Sequence, residues 1–231
     1  GLIQAVFTSV SAFCNAGMDI LSENSLCEYV HNPLVNTVTA LLIIMGGIGY
    51  IVWWDVVRVC KNLKKQGLKC FRTLTLHSKI ALFITALLLL SGTAAFFVFE
   101  YDNPLTLGSY SLPEKIQAAF FQSVTTRTAG FATVPQQNLT NASAFISILL
   151  MFIGGSPVGT AGGIKTVTIA VLFVAAFATI KNKEDAVLFQ RRISKQAINK
   201  AVAVVCTSFL ILFASTVLLA AITDAAALDI V

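Results

Sequence analysis

Residues 142–180 are apolar over thirty-nine positions, interrupted near the middle by GGSPVGTAGGIKT at 154–166. As one straight helix the segment would reach about 58 Å, roughly twice the ~30 Å hydrocarbon thickness of a bilayer. It has to be broken. Pro157 lacks an N–H, and the glycines at 154, 155, 159, 162 and 163 make helix costly and left-handed backbone cheap. The flanks, 142–153 and 164–180, are then two shorter helices joined by irregular backbone at membrane depth. Such backbone is tolerated only where protein buries it or where it lines a wet cavity.

Composition supplies the membrane. The chain is 231 residues long, 56% hydrophobic and only 12% charged, with a mean hydropathy of +0.81, well beyond a soluble domain of this length. The net charge of +5 is not spread as a nucleic-acid binder would spread it. Seven Lys and Arg and no carboxylate fall between Arg58 and Lys79, and six fall between Lys181 and Lys200. Residues 19–32 carry Asp19, Glu23 and Glu28 with no Lys or Arg, and 100–114 carry Glu100, Asp102 and Glu114. Positive charge alternating from loop to loop is the positive-inside pattern, which assigns 58–79 and 181–200 to the cytoplasm. Five cysteines without CxxC spacing argue for ordinary thiols. No cleavable leader pattern precedes the first apolar run, and the chain, opening at Gly1 inside that run, reads as a piece of a longer polypeptide.

Three further segments, 33–57, 76–99 and 200–223, are each long enough for one crossing, with Trp53 and Trp54 at the cytoplasmic interface of the first. Two others are too short. SLPEKIQAAFFQSV, 111–124, opens with a capping box, Ser111 and Glu114, and must enter and leave the membrane on one side as a half-helix. The N-terminal LIQAVFTSVSAFCNAGMDI is its copy: QAVFTSVSAFCNAGM and QAAFFQSVTTRTAGF share Gln, Ala, Phe, Ser-Val and Ala-Gly in order, 113 residues apart. A period of that length marks a tandem membrane module.

A half-helix ending at membrane depth directs its partial negative charge there, which favours a cation. The glycine after it can turn consecutive carbonyls toward one axis, where they replace a hydration shell. These residues resemble the Trk/Ktr/HKT superfamily of potassium transport proteins, closest to the Ktr-type pore subunit. SAFCNAGMD, SVTTRTAGF and above all GGSPVGTAGGIKT carry the resemblance, which covers nearly the whole chain.

The resemblance implies an all-α membrane protein of tandem membrane–pore-loop–membrane repeats of potassium-channel type, with a broken helix containing an intramembrane loop. Residues 1–60 would be part of the second repeat and 61–75 a cytoplasmic linker. Residues 76–181 would be the third repeat, and 182–231 a linker plus the first helix of the fourth. The implied filter carbonyls belong to Asn15, Ala16, Gly17, Thr128, Ala129 and Gly130. The implied gate comprises Gly154, Gly155, Ser156, Pro157, Gly159, Thr160, Gly162, Gly163 and Lys165. Where the family has a glycine–serine pair after the proline, this chain has Val158 and Gly159; Cys14 stands where asparagine is common. The resemblance further implies potassium uptake across the plasma membrane, sodium as an activator, a homodimer, and a cytoplasmic nucleotide-binding regulatory subunit.

A guanidinium in the ion path would repel cations, so Arg127 is expected behind the filter, bonded to the backbone that holds it. Lys165 either caps loop carbonyls or tunes the ion barrier. Asp55 is expected at the interface or facing a partner, and His31 and His77 in solvated loops. GTAGGIKT echoes a phosphate loop but fails by register, because Ile164 separates Gly163 from Lys165 and apolar helix flanks it. No constellation for covalent catalysis is present. A non-conducting membrane scaffold and a sodium-selective member of the same superfamily are the alternatives.

Overall fold

The computed structural model describes residues 1–22, 24–61, 72–183 and 185–222. Expectations placed on Glu23, Cys70, Glu184, the linker between 62 and 71, and residues 223–231 lie outside the described residues. The chain divides into two units, Gly1–Thr166 and Val167–Val231.

The first unit contains α1 (Leu2–Phe13), α2 (Pro33–Ile48), α3 (Tyr50–Cys60), α4 (Leu76–Glu100), α5 (Leu112–Thr125) and α6 (Asn141–Phe152). Helix starts follow local chemistry. The Asn32 side chain accepts from Leu34 N at 3.1 Å and Val35 N at 3.3 Å ahead of Pro33, Thr75 Oγ1 accepts from Ser78 N at 3.2 Å, and Thr140 Oγ1 accepts from Ser143 N at 3.3 Å. Each satisfies a donor that the first helical turn leaves orphaned. The Ser111–Glu114 capping box forms, with Ser111 N donating to Glu114 Oε2 at 2.9 Å.

The core lies where α1, α2, α4 and α5 meet, around Ala12, Ala40, Ile43, Leu89, Phe121 and Val124. Ala129 and Phe131 join this cluster, so the segment after α5 is anchored in it. In lipid the gain comes from close packing rather than water release, which rewards small residues at helix contacts. Gly92 of α4 is one: a Cβ there would stand 2.4 Å from Ser123 Oγ, the hydroxyl that donates to Leu89 O at 2.9 Å.

The segment expected to cross once over 33–57 is not one continuous helix. α2 and α3 meet at 97°, and the pivot is Gly49 at φ +87°. The interrupted ladder leaves carbonyls that need donors, and three of them find one: Trp53 Nε1 donates to Met45 O at 2.9 Å, Thr160 N to Gly46 O at 3.1 Å and Ser156 N to Gly47 O at 2.9 Å. Among the described residues α4 and Lys195–Ile222 are long and apolar enough to cross a membrane, and α2 with α3 passes the same test only as a bent pair.

Asp55 also departs from expectation. It is 6% exposed, accepts from Thr75 N at 2.8 Å and pairs with Arg58, so it ties α3 to the start of α4. Of the two histidines, His31 is exposed in a turn as expected, and His77 is not in a loop. His77 lies in the first turn of α4 with Nε2 buried. His31 Nδ1 lies 2.7 Å from Glu114 Oε1, and its ring meets Tyr110 edge-on.

The second unit holds α7 (Thr166–Ile180, whose first residue closes the preceding unit), β1 (Val187–Leu188), β2 (Arg191–Arg192) and α8 (Lys195–Ile222). The hairpin turns through Phe189 and Gln190, both at positive φ, the mirror-image geometry that matches strand twist. Asp185 and Arg192 pair across its base at 2.7 Å. Along α8 apolar residues are exposed on every side, the surface of a helix whose solvent is lipid. Cys14, Cys27, Cys60 and Cys206 are free thiols.

Candidate functional site

α1 and α5 are the two half-helices, about 18 and 21 Å long at ~1.5 Å per residue, too short to span. Each ends in the same backbone figure. After α1, Asn15 and Gly17 lie at φ +50° and +66°; after α5, Thr128 and Gly130 lie at +67° and +85°. Ala16 and Ala129, between them, keep ordinary negative φ. Alternating the sign of φ turns successive carbonyls toward one side instead of opposite sides, and glycine makes it cheap.

The two figures come together. A Cβ on Gly17 would stand 2.8 Å from Ala129 O and 2.8 Å from Gly130 Cα, and one on Gly130 would stand 2.9 Å from Gly17 Cα. Both half-helices therefore direct their C-terminal ends, with their partial negative charge, at the same point. Outside the turns, Leu26 N donates to Ala132 O at 2.9 Å and Ala132 N to Ser25 Oγ at 3.1 Å. These bonds hold the outer loop of one module to the segment that follows the other module's turn. Gln122 and Gln136 exchange amide hydrogen bonds at 2.7 and 3.1 Å, bracing the return of the second segment against its own half-helix.

The 154–165 loop sits against both turns. Thr160 Oγ1 donates to Phe13 O at 3.0 Å and accepts from Asn15 Nδ2 at 3.0 Å, while Gly162 N donates to Thr128 Oγ1 at 2.7 Å. Its own ends are closed by Ile164 N to Phe152 O and Thr166 N to Gly155 O, both 3.0 Å. Ser156 is fully buried, its hydroxyl 3.3 Å from Thr166 Oγ1. A Cβ on Gly154 would overlap Gly162 O at 1.7 Å, so the strands of the loop touch backbone to backbone.

Lys165 Nζ donates to Ala161 O at 2.6 Å, capping a loop carbonyl. Arg127 is 7% exposed, and the hydrogen bond it makes goes to the loop, from Nη2 to Gly154 O at 3.2 Å, rather than to the backbone of its own turn. Arg127 Nε and Asn15 Oδ1 are buried without partners among the described residues.

Gly46, Gly47 and Gly49, which the loop docks on, were not singled out by sequence reasoning. The signal was present: the Gly-Gly doublets at 46–47 and 154–155 stand 108 residues apart, each at the end of an apolar run. Glu100 was likewise read only as loop charge. It is 2% exposed and accepts from Asn103 Nδ2 at 2.7 Å, Thr106 Oγ1 at 2.6 Å, and Thr140 N and Oγ1 at 2.9 and 2.8 Å. A carboxylate so fully satisfied fixes the end of α4 against the start of α6.

Paired half-helices, glycine turns and a broken helix between crossings define the class: an all-α membrane protein of tandem membrane–pore-loop–membrane repeats with an intramembrane loop. The chain belongs to the TrkH family, whose model, described as a cation transport protein, matches residues 1–231. It is 39% identical over 229 residues to Ktr system potassium uptake protein B of Vibrio alginolyticus, covering 99% of this chain and 48% of that one. It is also 39% identical over 201 residues to potassium/sodium uptake protein NtpJ of Enterococcus hirae, covering 87% of this chain and 42% of the relative. The chain thus spans about half the length of the curated relatives it matches. The crystal structure of the potassium transporter TrkH from Vibrio parahaemolyticus shares the fold, with a TM-score of 0.71 at 19% identity over 93% of this chain and 44% of that one.

Proposed function

We propose that this chain forms part of the ion-conducting subunit of a potassium uptake system in the plasma membrane. Dehydrated potassium would pass down its electrochemical gradient between backbone carbonyls of Asn15, Ala16, Gly17, Thr128, Ala129 and Gly130 and of two further modules. The observation that carries this reading is the contact of Gly17 with Gly130, two left-handed turns at the ends of two half-helices. Carbonyls so converged supply the field that replaces water around a monovalent cation. Residues 154–165 act as the gate, a role supported by the hydrogen bonds from Thr160 and Gly162 to the two turns. Arg127 serves as a support shared by turn and gate through its bond to Gly154.

The relatives' names support potassium as the ion. Sodium as activator, a homodimer, and a nucleotide-binding regulatory subunit on the cytoplasmic side complete the proposal, with the basic stretches 58–79 and 181–200 each as a separate docking surface. The test is potassium flux into liposomes bearing the full-length protein, alone and with Gly130→Asp. Flux that the aspartate leaves untouched refutes the filter; absence of flux from the folded wild type returns the scaffold reading. A second reading, sodium carried as well as potassium, is favoured by the name of the Enterococcus relative. Competition of sodium against rubidium uptake separates the two.

A further inference from the structure

The bend at Gly49 does more than shorten a span. The carbonyls it frees are the dock for the intramembrane loop: Gly47 O receives Ser156 N at 2.9 Å and Gly46 O receives Thr160 N at 3.1 Å. The fit is close on both sides. A Cβ on Gly49 would stand 2.6 Å from Pro157 O, and one on Gly159 would stand 2.5 Å from Gly47 O. Between those contacts Val158 is held at φ +63°. A β-branched residue there is strained by about 1–2 kcal/mol and stays only while its surroundings enforce it. The loop's conformation therefore depends on the dock.

The dock in turn depends on α3. At the bend the indole of Trp53 reaches back to Met45 O at 2.9 Å, fixing the angle. At the midpoint of α3 Asp55, 6% exposed, accepts from Thr75 N at 2.8 Å and pairs with Arg58, clasping α3 to the cap of α4. A rigid helix tied at its start and at its middle transmits displacement from one tie to the other.

We infer that α3 is a lever that positions the gate loop, with Gly49 and Asp55 as its positioning residues. Release of the Asp55 clasp lets α3 swing, withdraws the Gly46 and Gly47 carbonyls, and frees Val158 to relax to negative φ as the loop leaves the two turns. This rests on the reading of 154–165 as a gate.

The test uses the full-length transporter in liposomes, in a background with its own cysteines replaced and a single cysteine introduced as Val158→Cys. Two rates are read per folded molecule: basal rubidium uptake without any cytoplasmic partner, and modification of that cysteine by a water-soluble methanethiosulfonate reagent. Asp55→Asn is expected to raise both rates about tenfold, the factor that losing one charge-assisted hydrogen bond supplies, and Gly49→Ala, whose Cβ would stand 2.6 Å from Pro157 O, is expected to raise both as well. The preference for potassium over sodium should stay as in the parent. A merely structural role for either residue lowers the yield of folded protein and leaves the rates per molecule unchanged, which overturns the inference. Should Gly49→Ala fail to fold, Asp55→Asn decides alone from the middle of the helix. Deletion of 159–163 tells the two readings apart: if the deletion raises flux while the α3 variants do not, the lever falls and the gate stands. If the deletion changes nothing, the gate falls and the lever with it.

Discussion

Replacing Gly130 by alanine adds one methyl group at the point where the two turns meet. Two costs follow from the geometry. The residue sits at φ +85°, where a side chain adds about 1–2 kcal/mol. The new Cβ also lies 2.9 Å from Gly17 Cα and 3.7 Å from Gly17 N, and relieving an overlap of that kind in packed surroundings costs about 1–3 kcal/mol. Together they come to about 2–5 kcal/mol, which the protein can meet in only two ways. It can unfold locally, or it can rotate the Thr128–Gly130 backbone so that its carbonyls leave their common side. Ala129 and Phe131 are each 1% exposed and anchored in the core, so the flanks resist and the rotation falls on the carbonyls themselves.

Selectivity is the quantity that reads this. Discrimination between potassium and sodium is a difference of a few kcal/mol, at about 1.4 kcal/mol per factor of ten. Loss of one carbonyl set of several is expected to lower the potassium-to-sodium ratio at least about tenfold. The assay is rubidium uptake into liposomes carrying full-length Gly130→Ala, with increasing external sodium, beside wild type and Gly17→Ala. The contact is mutual, so the two variants should behave alike. If both keep wild-type flux and ion ratio in folded protein, the carbonyls of these turns do not set the preference and the filter assignment is wrong.

Other consequences can be checked on stability and on pH. Val158→Gly removes the left-handed strain and should raise the thermal stability of the loop by about 1 kcal/mol, less the entropy that a glycine gives up on ordering; a fall in melting temperature would contradict the strained backbone. Glu100→Ala leaves four donors facing a void and should cost about 3 kcal/mol, measured by chemical denaturation in detergent, with little loss if water takes the carboxylate's place. The Ser111 hydroxyl first, then His31 and the Ser111 backbone N–H, hold the Glu114 carboxyl down from 4.5 to about 2. A depressed carboxyl contributes stability above its unfolded value and loses it as pH falls from 4.5 toward 2, so hydrogen-exchange protection at the start of α5, taken relative to the intrinsic amide rate, should fall over that window. That fall should vanish in Glu114→Gln.

Legibility in the sequence was uneven for a physical reason. Features dictated by the bilayer could be read directly, because its thickness is a fixed ruler. The over-long segment had to break between 153 and 164, and α6 ends at Phe152 while α7 starts at Thr166. The half-helix opening at Ser111 had to be short, and its capping chemistry placed its start. Where the ruler raised no objection the reading failed: 33–57 has the right length for one crossing, so nothing forced attention to the glycines at 46, 47 and 49. Its 97° bend is a tertiary fact, stable because Ser156 and Thr160, more than a hundred residues away, bring the N–H groups that a broken ladder needs. Asp55 and Glu100 were both misread, since donors that bury each carboxylate arrive from another element, Thr75 for the one and Thr140 for the other. The two breaks are then halves of one structure. Each leaves carbonyls or N–H groups that would be ruinous alone in lipid, and each is tolerable because the other is there. It follows that removing either break should destabilise the other: the loop glycines and the Gly46–Gly49 segment should show strong non-additivity in a double-mutant cycle, whereas sites coupled only through the general fold should add.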